Sequence, residues 1–372
     1  MALITTSDQE VLRDVMRAFL RKYSSEADVR EQMDSDLGYD QQAWETAAEQ
    51  IGMQALAIPE EFGGAGCAFD ELAVVLEETG RTLFTGPVLA SVVLAPTALL
   101  LSKDQQACQR YLPGIADGSR VATVAISEDA AVWNESDIAV TAVPSGDGWA
   151  LTGTKRYVVN GAEADLVLVA ARTDEGVSLF AVDHGVAGLT IEQLPVMDLT
   201  RRIATLQFDR CPAVLVGEEG AGWAPLSGLF DHAIAALACE QVGAAAAVLE
   251  STVGYLKVRH QFGRPIGSFQ ALKHRCADML VELESARSAA AYASAAVSAG
   301  ADDVSVAASI AKVYCSQALY HIAAESIQMH GGIGFTWEHP AHLYFKRAKS
   351  AEVLFGSPAA HRERIAQLLG MS

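Results

Sequence analysis

The order of apolar and polar residues divides this chain into helix-rich, strand-rich and helix-rich thirds. Near the start, Val11, Leu12, Val15, Met16, Phe19 and Leu20 recur at the spacing of a one-sided helix. Ser7 and Glu10 precede that stripe with capping-box spacing. A second helix is predicted over residues 41–51. It is followed by IPEEFGGAG (Ile58 to Gly66), where a proline and glycines stop any helix. FDELAVVLEETG (Phe69 to Gly80) returns to helical spacing and ends on a glycine, as helix C-termini do.

From Val121 the pattern shortens. VATVAIS, DIAVTAV, WALTGTKRYVVNG, DLVLVAA, VSLFAV and ATLQFD are β-branched or alternating runs parted by Gly, Asp, Asn and Pro. Six such runs without an intervening helical pattern predict an antiparallel barrel or sandwich. Beyond the glycine-rich VLVGEEGAGW (Val214 to Trp223), long Ala- and Leu-rich helical patterns cover residues 223–258, 269–298 and 303–330. Another begins near Glu338, and antiparallel packing into a four-helix bundle is the economical solution. The expected fold class is α+β, with an N-terminal helical domain (1–120), a middle β domain (121–222) and a C-terminal bundle (223–372).

Composition narrows the chemistry. Of 372 residues, 51% are hydrophobic and 20% charged, which places the chain among globular proteins rather than disordered ones. A net charge of −19 leaves no basic excess to neutralise phosphates, so nucleic acid is not an expected partner. The longest apolar run, Leu89 to Leu101, is too short to span a bilayer and contains Pro96, so no membrane is expected. The opening residues lack the basic-then-apolar order of a signal peptide. Six scattered cysteines with no C-x-x-C pair read as reduced, mostly buried thiols of a cytoplasmic protein. The nine histidines show no metal spacing. His339 and His342, the nearest pair, read as surface residues, and no metal site is expected.

Five segments together resemble the acyl-CoA dehydrogenase family. IPEEFGGAG is similar to that family's N-terminal loop, LTGTKRYVVNG to its G-x-K-x-W-I-T-N-G strand pair, and VLVGEEGAGW to its domain-exit loop. RHQFGRPIGSFQ (Arg259 to Gln270) resembles R-x-x-F-G-x-x-I-x-x-x-Q, and QMHGGIGFT (Gln328 to Thr336) resembles Q-x-x-G-G-x-G-[FY]. They occur in family order over essentially the whole chain. The resemblance implies a flavoenzyme that removes hydrogen from Cα and Cβ of an acyl-CoA. A carboxylate takes the α-proton opposite the flavin. FAD lies across a subunit interface, and electron-transfer flavoprotein is the expected acceptor.

Departures from the family are as informative. Aligning residues 348–366 on its Y-E-G-T stretch places Phe355 at the catalytic glutamate. The position used by a minority of members is Ala233. Neither side chain can accept a proton, so no catalytic residue is assigned. Ile234 replaces an arginine found near the substrate, while its aspartate neighbour survives as Asp231, read here as a cap of the first bundle helix. SEDAAVWNESD (Ser127 to Asp137) replaces the T-E-P-x-A-G-S-D loop, and Tyr157 and Val159 replace the Trp and Thr of W-I-T-N-G. The retained positions are Arg259, Phe262, Gln270, Gln328, Gly331 and Gly332, which in the family hold a neighbour's FAD.

The chain thus resembles the glutamate-lacking subunit of mycobacterial-type heterotetrameric steroid side-chain acyl-CoA dehydrogenases. An α2β2 assembly is expected, with a partner subunit carrying the glutamate and most of the acyl-CoA contacts. Two other readings stand beside it. One is a homotetrameric flavoenzyme using another base such as Glu352. The other is a flavin-free structural or regulatory partner. Glu240, the other nearby carboxylate, is expected to face a neighbouring helix or an interface.

Overall fold

The computed structural model describes residues 6–129 and 133–371. Six N-terminal helices come first: α1 (Ser7–Tyr23), α2 (Glu26–Asp34), α3 (Gln41–Thr46), α4 (Phe69–Thr82), α5 (Ala95–Ser102) and α6 (Gln105–Ala116). Helix α1 starts one residue earlier than its sequence suggests. Thr6 and Gln9, not Ser7 and Glu10, exchange the capping-box hydrogen bonds. Either pair has the required spacing, and the Thr6 hydroxyl accepts from the Gln9 amide. The apolar run around Pro96 is helical, a wide π-type turn (Val88–Leu94) leading into α5 with the proline in its first turn. There the missing N–H costs nothing.

Seven strands follow: β1 (Ala122–Ala125), β2 (Thr141–Ser145), β3 (Gly148–Val159), β4 (Leu166–Thr173), β5 (Gly176–Asp183), β6 (Leu189–Gln193) and β7 (Ile203–Val216). The path β4–β2–β3–β7–β5 returns to β4, so the sheet closes on itself as a barrel. It is not wholly antiparallel. Strand β1 pairs with β4 in parallel, and β2 meets β4 in parallel at Thr141 and Arg172. Val167, Val169, Phe180, Leu206 and Cys211 fill the interior. β6, absent from the sequence reading, is a half-exposed strand added to β7.

The remaining elements are α7 (Trp223–Val258), the two-residue strands β8 (His260–Gln261) and β9 (Arg264–Pro265), α8 (Gln270–Ala299), α9 (Val304–His330), α10 (Ala341–Val353) and α11 (Pro358–Leu368). Two compact units result. One comprises Met1–Arg30, Ala73–Phe84 and Ile234–Ser372, and the other Glu31–Leu72 and Thr85–Ala233.

The first unit is a helical bundle in which α9 packs against α8, α10 and α11. Polar side chains cross its interior in pairs. Gln241 donates to Ser316 (3.0 Å), Thr252 to Ser326 (2.8 Å), and Arg347 to Glu240 (2.6 Å). Helices α4 and α7 touch backbone to backbone. A Cβ on Gly243 would lie 1.8 Å from the Glu77 carbonyl oxygen, and one on Gly80 would lie 2.1 Å from that of Glu240. Glycine is required at both points because no neighbour there can yield.

The second unit contains the barrel and helices α3, α5 and α6. Among the described residues α7 alone is long and apolar enough to cross a membrane, and 89% of its most apolar stretch is buried inside the protein. All six cysteines are free thiols, four of them buried.

Candidate functional site

The retained positions lie on two connections of the bundle. Helix α7 ends at Val258, and β8 and β9 form a tight hairpin closed by Ile266 donating to the Arg259 carbonyl at 2.8 Å. Its two turn residues, Phe262 (φ 55°) and Gly263 (φ 75°), both take left-handed backbone. A hairpin of this kind normally has asparagine or glycine at the first turn position. Phe262 instead spends strained backbone to hold a phenyl ring that is 89% exposed. That ring meets Phe269 edge-on at 6.1 Å, and the Arg264 guanidinium covers Phe269 at 4.0 Å. Gln270 is the first residue of α8, whose start carries no side-chain cap and so favours an anion.

The second connection is the end of α9. Gln328 occupies its last turn, and Gly331 leaves it with φ 67° and ψ −142°, a conformation open essentially to glycine alone. A Cβ on Gly331 or Gly332 would meet nothing within 4 Å. Tyr255 joins the two connections. Its carbonyl accepts from the Arg259 amide at 2.9 Å, its hydroxyl donates to the His330 carbonyl at 3.4 Å, and its ring lies 4.4 Å from that of His330. Sequence reasoning passed over Tyr255, although it stands one helical turn before Arg259.

All six residues are solvent-exposed, and among the described residues no carboxylate pairs with Arg259. An unpaired guanidinium, an uncapped helix start, an exposed ring and glycines with open space suit a pyrophosphate and a flat heterocycle. The residues present therefore fit the nucleotide half of FAD.

The two positions expected for the family's base are filled differently. Phe355 is buried, with φ 59°, just beyond the end of α10, and its carbonyl accepts from His361 Nε2 at 2.9 Å. Lys312, wholly buried in α9, caps the α10 carbonyls of Ala351 (2.5 Å) and Glu352 (3.1 Å). The Glu352 carboxylate is occupied by Lys349 at 2.6 Å. Glu240 is buried against Arg347, facing a neighbouring helix as expected.

In the other unit, Ala233 is fully buried. Asp231 is not a cap. It is buried well inside α7, because that helix begins nine residues earlier than a cap there would allow. Val159 is buried and Tyr157 half-exposed at φ 57°. Of the loop from Ser127 to Asp137, residues 130–132 lie outside the described residues. The rest is pinned by Glu128, which accepts from the Ala139 and Val140 amides and from Lys155 at 2.6 Å. Burial pushes the Lys155 ammonium down to about 8, against the opposing pull of Glu128.

His339 and His342 are half-buried rather than on the surface, because both rings pack against others, His339 tilted against His330 and His342 stacked on Trp337. Among the described residues no group of three or more His, Cys, Asp or Glu is placed to hold a metal ion.

Comparison with known proteins shows the family of the chain. The family models described as acyl-CoA dehydrogenase N-terminal, middle and C-terminal domains match residues 6–119, 123–211 and 220–370. The chain is 36% identical over 360 residues to the acyl-CoA dehydrogenase IpdE2 of Mycolicibacterium smegmatis, covering 97% of this chain and 98% of that one. Among solved structures it is similar to the Tcur3481-Tcur3483 steroid ACAD (33% identity, TM-score 0.86, 98% of each chain). It is also similar to the ChsE4-ChsE5 complex of Mycobacterium tuberculosis (28% identity, TM-score 0.91, 100% of each chain). With matching domains along nearly its whole length, the chain belongs to the acyl-CoA dehydrogenase family, whose members are FAD-dependent oxidoreductases.

Proposed function

We propose that this chain is the subunit without a catalytic base in a heteromeric, cytoplasmic acyl-CoA dehydrogenase. It serves α,β-dehydrogenation of an acyl-CoA in the β-oxidation of a steroid side chain, with electron-transfer flavoprotein as acceptor. The observation that carries this is Phe355, a buried phenyl ring where the family places its proton-accepting glutamate. Ala233 offers no substitute, and Glu352 and Glu240 are held by Lys349 and Arg347.

In this reading a partner subunit contributes the glutamate that takes the α-proton. FAD, when bound, supplies the acceptor for the hydrogen leaving Cβ. This chain's part is to hold the nucleotide: Arg259 pairs with the pyrophosphate, Phe262 covers an apolar face, and Gln270 and Gln328 donate hydrogen bonds. The Gly331–Gly332 backbone lets an anion approach closely. Two of the similar structures are named as pairs of different chains, one of them as a steroid ACAD, which supports both the heteromer and the substrate class.

The test is a doubly altered chain, Arg259→Ala with Phe262→Ala, co-expressed with a glutamate-bearing family partner. Both residues are exposed, so the complex should assemble and lose flavin. Full flavin content in that variant would refute the assignment. Steady-state rates of the wild-type complex should favour steroid-bearing over straight-chain acyl-CoA thioesters, and the reverse preference would refute the substrate class.

A further inference from the structure

The glycine loop after α9 is held by ring stacking and histidine hydrogen bonds rather than by apolar burial. Ile333, Phe335 and Trp337 on it are 48%, 85% and 58% exposed. Below them His330 lies against Tyr255 at 4.4 Å and against His339 at 4.3 Å. Trp337 stacks on His342 at 4.6 Å, with the Lys346 ammonium 4.4 Å from the indole.

The hydrogen bonds fix which ring nitrogens carry protons. The Ala341 amide donates to His339 Nδ1 at 3.2 Å, so that nitrogen is unprotonated and acts as a cap for the first residue of α10. His342 Nε2 donates to the Trp337 carbonyl at 3.1 Å, while its Nδ1 is buried without a hydrogen-bond partner. His330 Nδ1 donates to the Ser326 carbonyl at 2.7 Å. A second proton on His339 would turn an acceptor towards an N–H, and one on His342 would bury an unmatched donor.

The groups facing His339 come from every side: Glu26 and Arg30 on α2, His330 on α9, and His342 on α10. Lys346 of α10 faces His342, and Tyr255 of α7 faces His330. Burial, then the neighbouring histidine His330, pushes His339 below its ordinary value, and Glu26 only partly opposes this. The neutral form is therefore the one the fold favours. Its stabilisation is complete above the ordinary histidine value and is lost as pH falls through the lowered one.

We propose that Tyr255, His330 and His339 are positioning residues that hold Gly331 and Gly332 in the shape that receives the flavin nucleotide, and that they do so only while His339 is neutral. This rests on the flavin assignment above and adds its regulation. Protonation of His339 releases the Ala341 amide, frays the start of α10 and frees the far end of the glycine loop.

The experiment measures FAD affinity of the co-purified complex by flavin fluorescence from about pH 7.5 down to about pH 4.5, so that the range runs well below the ordinary histidine value. The wild type should lose affinity by up to about tenfold per pH unit, the limit for one proton. His339→Asn keeps an acceptor for the Ala341 amide and cannot titrate, so its profile should be clearly flatter than that of the wild type. His339→Leu should bind weakly throughout, with melting curves confirming that it folds. Superimposable wild-type and His339→Asn profiles, with Arg259→Ala still weakening binding, overturn the inference alone. Unchanged binding by Arg259→Ala overturns the flavin assignment and this inference with it.

Discussion

Replacing Glu240 with glutamine separates a structural carboxylate from a catalytic one. Glu240 and Arg347 approach to 2.6 Å, with side chains only 10% and 4% exposed. At an effective dielectric near 20, opposite charges about 4 Å apart attract by about 4 kcal/mol. Glutamine keeps the shape but removes the carboxylate charge that the buried guanidinium meets at 2.6 Å. Losing one member of a buried pair typically costs about 3–5 kcal/mol. Removing both charges, as in Glu240→Leu with Arg347→Met, should recover most of that loss, because neither ion then has to leave water. Urea denaturation of the two single variants and the double variant, closed as a double-mutant cycle, measures the coupling. Turnover of the complex carrying Glu240→Gln should be retained once folded protein is normalised. A single-variant cost below about 1 kcal/mol, the range of an exposed pair, would refute the structural role. Loss of turnover at full folding would instead make Glu240 the missing base.

Other outcomes follow from the same contacts. Gly243→Ala, which drives a Cβ to 1.8 Å from the Glu77 carbonyl, should destabilise the bundle by about 1–3 kcal/mol or more in thermal melts. Gly254→Ala on the same helix meets nothing within 4 Å and should stabilise by about 1 kcal/mol. The folded-state value of Lys155 is depressed from 10.5 to about 8, so the unfolded chain binds more protons between those limits. Lys155 should therefore make the fold more stable as pH rises through that window, by about 3 kcal/mol. A wild-type-minus-Lys155→Met stability difference that stays constant from about pH 8 to about pH 10 would contradict this. Phe262→Ser should leave the melting temperature of the isolated chain unchanged, since the ring is 89% exposed, and should lower flavin content in the complex.

Much of the architecture was legible because period and turn chemistry agreed. The three long bundle helices and most barrel strands follow directly from apolar spacing. What escaped was set by long-range pairing. β6 is short and half-exposed, and it exists because β7 offers an open edge. The parallel partnership of β1 with β4 joins segments some forty residues apart, which no local pattern reports. Asp231 looks like a cap because aspartate favours helix starts, yet α7 starts at Trp223 and carries it into the interior. The candidate site residues stand out through their motifs, whereas Tyr255 and His339 make ring contacts and single hydrogen bonds that have no sequence period. The two candidate connections were therefore readable as motifs, and the ring contacts beside them were not.

The most direct test of the central claim is the FAD content per chain of this protein purified alone and in complex with a glutamate-bearing partner. With Phe355 at the base position and its nucleotide contacts turned outward, the isolated chain should carry little flavin and dehydrogenate no acyl-CoA. The complex should hold one FAD per pair of unlike chains and turn over. A fully flavinylated homo-oligomer that oxidises acyl-CoA by itself would contradict the account.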